Sequence, residues 1–156
     1  MVAETSNWEV VTMAEFTSNA VQEVAVGQNI LFTETAVPCN RGYVLHREGS
    51  GIVTLRGIVN NPYGCFARYK IFFGGNIAVP TGGTAGAISV ALAIDGEPIP
   101  TSSAIVTPAA VDEYWNIAEA LYVTVPKGCC YTIAVENTSD QPINVQNANL
   151  IVERTA

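Results

Sequence analysis

Apolar and polar positions alternate with a period of two through most of this chain, the signature of strands whose two faces meet different surroundings. Over residues 85–94, Ile88, Val90, Leu92 and Ile94 share one parity, and Ala87, Ser89, Ala91 and Ala93 the other. Over residues 129–137, Cys129, Tyr131, Ile133 and Val135 alternate with Cys130, Thr132, Ala134 and Glu136. Glycine, proline and asparagine clusters punctuate the chain, and the runs between them are β-branched or aromatic. The pattern predicts strands over residues 20–33 (interrupted at Gly27), 42–48, 51–59, 65–73, 85–94, 117–125, 129–137 and 143–153, with a proline-broken edge element over 97–106.

Asp95-Gly96 predicts a tight hairpin turn, and Pro126-Lys127-Gly128 a second turn. In the last run the apolar parity switches from Ile143 and Val145 to Ala148, Leu150 and Val152. That switch means a bulge near Gln146-Asn147 or burial on both faces. Residues 108–120 hold the best helical start signal, which allows one turn before a strand begins by Ile117. Eight or nine strands at this spacing make an all-β sandwich or jelly roll.

Residues 1–19 lack alternation and glycine punctuation but contain Trp8, Met13 and Phe16. They read as an N-terminal arm before a jelly-roll domain at 20–156. An aromatic left in water forgoes roughly 1.5–3 kcal/mol of burial, so the three side chains are expected to anchor the domain to an assembly.

Composition sharpens the picture. The 156 residues fit one domain, 49% of them are apolar, and only 13% are charged where about 25% is usual. Little solvating surface remains, so association with copies of itself is expected. The uncharged small face at Ala87, Ser89, Ala91 and Ala93 suits close approach of another subunit. The two-sided burial option puts Ala148, Leu150 and Val152 in the same interface.

A net charge of −7 with scattered basic residues argues against nucleic acid and against an anionic membrane surface. No stretch approaches the ~20 apolar residues of a membrane span. The first eleven residues have neither a positive charge nor a continuous apolar run, so they do not read as a signal peptide.

Candidate chemistry is sparse. The chain has four cysteines, with no CxxC pair, and one histidine, His46. That inventory supports neither a zinc site, a cupin-type metal site nor a nucleophile triad. The adjacent Cys129 and Cys130 read as buried small hydrophobes. No disulfide is expected to be needed; if one forms, Cys39–Cys65 is the pair. Asp112-Glu113 and Asp95/Glu97 read as solvated turn acids rather than a Ca²⁺ site. The glycine-rich run over residues 81–86 lacks the Lys-Ser/Thr of a phosphate cradle. No catalytic residue, cofactor or metal is expected.

Several phrases, in order, resemble the trimeric C1q/TNF-like jelly roll of phage and bacterial surface proteins, including the C-terminal domains of spore-coat collagen-like glycoproteins. They are NILF from Asn29, GSGIVTL from Gly49, FARYKIFFGGN from Phe66, ISVALAIDGEPI from Ile88, VTVPKG from Val123 and ANLIVE from Ala148. Together they span about four-fifths of the chain. There is no Gly-X-Y stalk, and residues 1–19 and the cysteines stand outside the pattern. The resemblance implies a non-enzymatic homotrimer on a phage virion surface: capsid decoration, head fibre or tail-associated, with the major capsid protein as a partner. The alternative is a carbohydrate- or receptor-binding adhesion module of a spore or cell surface. Tyr43, Tyr63, Tyr114 and Trp115, in or near predicted loops, would then meet a glycan.

Overall fold

Twelve strands follow the alternation in a computed structural model that describes residues 13–39, 42–58, 64–128 and 130–155. They are β1 (Met13–Ser18), β2 (Gln22–Val24), β3 (Glu34–Val37), β4 (Val44–His46), β5 (Val53–Arg56), β6 (Phe66–Ala78), β7 (Ile88–Ile94), β8 (Glu97–Pro98), β9 (Ala104–Val106), β10 (Trp115–Pro126), β11 (Cys130–Asn137) and β12 (Ile143–Arg154). A 3-10 turn, Pro100–Ser102, lies between β8 and β9. The first sheet runs β10-β6-β12-β1-β3, with β2 also on β12; the second runs β4-β5-β11-β7-β8, with β9 also on β7. All pairings are antiparallel. The result is an all-β jelly-roll sandwich.

The core lies between the sheets. β6 contributes Ala67, Tyr69, Ile71 and Phe73, and β12 contributes Ile143, Val145, Ala148, Leu150 and Val152. From the other side come Val53, Leu55, Ile88, Val90, Leu92, Ile133 and Val135. The parity switch in β12 is a bulge: the β12–β6 register shifts between Gln146 and Asn149, and Asn147 takes a φ of +58°. One extra residue lets Val145 and Ala148 face the same core. The Asp95-Gly96 turn forms as expected, with φ values of +52° and +88°.

Three expectations change. The long strand at 20–33 is instead the short β2 followed by isolated bridges, Asn29 to Glu136 and Phe32 to Ser50. The segment crosses from the first sheet to the second around Gly27, and one straight strand cannot pair with both. Residues 109–112 form a turn rather than a helical one, and β10 begins at Trp115.

The third change concerns the arm. Residues 13–18 are β1, paired with β12 on one side and β3 on the other. Ala14, Phe16 and Ser18 face inward, and Phe16 is only 3% exposed. Phe16 is therefore core, not an assembly anchor, and the sandwich includes residues placed before the expected boundary at 19/20. Met13 is exposed on the outer side of β1. Trp8 and the rest of residues 1–12 lie outside the described residues.

Candidate functional site

The outer face of the first sheet is built by the residues that alternate with its core set. Register places them in rows across β10, β6, β12 and β1: Ala120–Phe72–Ile151–Glu15, and beside it Tyr122–Lys70–Glu153–Met13. Thr124 pairs with Arg68 at one end, and Ala118, Gly74 and Asn149 align toward the other. Tyr122 is 62% exposed and Phe72 36% exposed; Phe66 is exposed and Ile151 half-buried. An ordinary solvated sheet face would alternate core residues with charge and threonine. This one also carries an apolar band of Ala120, Phe72, Ile151 and Tyr122 between its charged residues.

Two depressions mark the band. One of about 320 Å³ is lined by Lys70, Phe72, Ile151 and Glu153. The other, about 570 Å³, is lined by Arg68, Tyr122, Thr124 and Thr155. The Arg68 guanidinium lies 4.8 Å from the Phe66 ring centre, and its Nε–H donates to the Thr124 hydroxyl at 3.4 Å. Charges of both signs flank the band: Arg68 and Lys70 from β6, Glu153 from β12 and Glu15 from β1.

A run of amides closes one end. Asn116 Nδ2 donates to Asn76 Oδ1 at 3.1 Å, Asn76 Nδ2 donates to Asn147 Oδ1 at 3.2 Å, and Asn147 Nδ2 donates on to Asn19 Oδ1. An apolar centre with a hydrogen-bonded polar margin is the layout of a protein–protein interface.

The expected interface residues lie elsewhere. Ala148, Leu150 and Val152 point into the chain's own core and present no surface to a partner. Ala91 and Ala93 are each 1% exposed, so the small-residue face of β7 is not open. Ser89 is half-buried and tied to the Thr138 and Ser139 hydroxyls at 2.8 Å each, while Ala87 is exposed just before β7. Alternation alone does not single out Phe66, Phe72, Tyr122 and Ile151; their signal is large apolar residues on both parities of β6, β10 and β12, which a purely solvated outer face would not carry.

Of the expected ligand-loop residues, Tyr114 and Trp115 are exposed. Tyr43 is half-buried, with the Arg154 guanidinium 4.1 Å from its ring centre, and its ring is thereby occupied. Tyr63 lies outside the described residues. Glu113 Oε1 accepts from the Ala109 N–H at 2.8 Å and the Trp115 Nε1–H at 3.2 Å. These bonds hold its carboxyl below the usual carboxylate range.

The buried titratable groups are structural in kind. Tyr69, pushed up to about 12 by burial, donates its one hydroxyl proton to the Arg56 carbonyl at 2.5 Å, with the Tyr43 carbonyl 3.2 Å away. Glu119, pushed up to about 8 by burial, has no hydrogen-bond partner for either oxygen. His46 Nε2 sits 2.9 Å from the Ser50 carbonyl, and its ring packs 4.5 Å from Phe16. Cys65 and Cys130 are exposed and Cys39 is half-buried, so Cys130 departs from the expected burial; Cys129 is outside the described residues. Among the described residues no three His, Cys, Asp or Glu side chains converge as a metal site would require.

Comparisons with known proteins bear on the fold. No family model and no curated protein matches the sequence. Among solved structures, the chain is similar to the Eiger TNF of S. frugiperda, with 12% identity, a TM-score of 0.67, and 92% of each chain covered. It is similar to murine APRIL, with 10% identity and a TM-score of 0.59 over 90% of this chain and 97% of that one. The globular domain of zebrafish complement 1qA gives 9% identity and a TM-score of 0.53, covering 92% of this chain and 95% of that one. At these identities the likeness is one of fold: the sandwich is a C1q/TNF-like jelly roll.

Proposed function

We propose that the chain is a non-enzymatic recognition module of an extracellular or particle surface, working as a homotrimer. The outer face of the first sheet is its subunit interface, and the loops are left to read a ligand. The observation that carries this reading is the band of Phe72, Tyr122 and Ile151 on a sheet whose inner face already fills its own core. Burying such a band stabilises association by about 25 cal/mol per Å² of apolar surface before the costs of assembly. A further copy suits it because Lys70 and Glu153 share one row and offer both charges to the different surface that a neighbouring subunit presents around a threefold axis. The trimer is the state implied by the sequence resemblance, and the C1q/TNF-like fold supports it. The recognition reading rests on that fold and on exposed loop aromatics.

A place on a virion, with a capsid protein as partner, rests on the order of sequence phrases alone. The fold likeness favours the wider adhesion and recognition reading. Labelling intact particles with antibody to the purified chain would decide for a virion if they bind.

Light scattering of the purified chain should give a mass near three times 16.5 kDa. The double variant Phe72→Glu, Tyr122→Glu should sediment as a folded monomer, since both side chains lie outside the core. A wild-type monomer at micromolar concentration, or a double variant that stays trimeric, would overturn the interface.

A further inference from the structure

Resting on the recognition reading above, we propose that the loop over residues 107–114, with Trp115 at the start of β10, is a binding site for a neutral pyranose sugar. The sugar stacks on the Trp115 indole and hydrogen-bonds at its edge to Glu113. Val111, Tyr114 and Trp115 are all exposed, the last at 46%. Three large apolar side chains within five residues are costly to leave in water.

The loop is held in shape rather than left loose. The Asp112 N–H donates to the Val79 carbonyl at 2.7 Å, and the Thr81 hydroxyl donates to Asp112 Oδ2 at 2.6 Å. Asp112 has a φ of +59°, a left-handed backbone conformation that costs a non-glycine residue free energy and recurs in binding loops. Glu113 Oε1 joins the Ala109 N–H to the Trp115 Nε1–H, so the indole is fixed from its edge. A rigid aromatic presented this way binds with little ordering cost.

The same hydrogen bond selects the ligand. The indole N–H lies in the ring plane, so the Glu113 carboxylate sits beside the ring and the ring face stays clear of it. A pyranose can lay its C–H face on the indole and turn a hydroxyl toward the carboxylate, whose lone pairs exceed the two bonds already accepted. Residues 107–116 carry Asp112 and Glu113 but no lysine or arginine, and the whole chain is at −7. Anionic sugars and phosphates are thereby repelled. A quaternary ammonium is held by an aromatic cage that closes on it from several sides, whereas this loop fixes one indole with its acid at the ring edge. Phe72 and Tyr122 play no part, so the site and the subunit interface are separate.

The test uses the full-length chain in a Trp8→Phe background, so that Trp115 is the only indole emitter. The methyl pyranosides of glucose, mannose and galactose, and N-acetylglucosamine, are titrated to tens of millimolar, enough to detect a Kd of about 1 mM. At least one should change the emission saturably. Trp115→Ala, followed by ligand-observed NMR, should abolish binding, and Glu113→Gln should weaken it several-fold, with both variants melting like the parent. Failure of every sugar, or Trp115-dependent binding of tetramethylammonium or N-acetylneuraminate in their place, overturns the proposal. So does a drop in mass for Trp115→Ala, which would make the loop a subunit contact. A trimer that binds no sugar sinks this site alone; a monomer that binds one sinks only the interface.

Discussion

Glu119 lies directly across from Phe73 in the β10–β6 pairing, and both side chains point into the sandwich. Glu119 is 9% exposed as a residue, its two carboxyl oxygens are buried without a hydrogen-bond partner, and burial pushes the group up to about 8 from 4.5. The folded state therefore holds a proton that the unfolded chain releases above its ordinary value. Stability from this group is complete below about pH 4.5, falls as pH rises, and levels off above about pH 8. The slope is at most about 1.4 kcal/mol per pH unit. Urea melts at several pH values should show that decline, and Glu119→Gln should flatten it. Some slope should persist, because burial and the nearby Glu97 also raise Glu136. Parallel pH profiles for wild type and Glu119→Gln would refute the assignment.

Asn137 ties three segments together from a buried position. Its Nδ2 donates to the carbonyls of Val24 and Gln141 at 3.0 Å each, and its Oδ1 accepts the Ser139 N–H at 2.9 Å. Asn137→Ala strands these groups at about 1–3 kcal/mol for each one left unsatisfied. The expected loss is about 3 kcal/mol in denaturant melts, with the m-value unchanged. A loss under about 0.5 kcal/mol would mean that water replaces the amide, since ordinary surface changes stay within that range.

Gly96 has a φ of +88° and open space around the position a Cβ would take. Gly96→Ala should then lose about 1–2 kcal/mol through backbone conformation alone. Gly96→Asn should lose less, because asparagine tolerates the left-handed region. Equal losses in the two variants would point to packing instead.

What the sequence disclosed follows from which signals are local. The Asp95-Gly96 turn and the β12 bulge were legible because each is written in two or three neighbouring residues. The faces of β12 were less legible. Ala148, Leu150 and Val152 fit an interface as well as a core until the bulge shows that they share a face with Ile143 and Val145. The small residues Ala91 and Ala93 looked open because alternation says which parity shares a face, but not whether anything covers it. Phe72 and Tyr122 were hidden for a related reason. Each sits among core residues of its own strand, and only the register of β6 on β10 and β12 shows them forming one band. The loop pair Tyr114 and Trp115 stood out as aromatics near a turn, whereas the bond from Trp115 to Glu113 needed coordinates.

Phe16 carries the clearest consequence of β1. Six residues, Met13–Ser18, pair with β12 along Ala148–Glu153 and with β3 on the other side. Removing residues 1–19 would strip β12 of that partner, uncover Ala148, Leu150 and Val152, and delete a phenylalanine packed against His46 and the core. Phe→Ala in a core costs about 3–5 kcal/mol, against a total stability of about 5–15 kcal/mol for a domain. Phe16→Ala should therefore melt well below wild type, and the 1–19 deletion should fail to give a cooperative transition by circular dichroism. Deleting only residues 1–12 leaves β1 intact and tests the anchoring expectation for Trp8 by itself. That shorter variant should keep a cooperative melt and a trimeric mass, while losing attachment to whatever larger assembly the chain joins. If the 1–19 deletion folds and stays trimeric, β1 is dispensable and these residues are an arm after all.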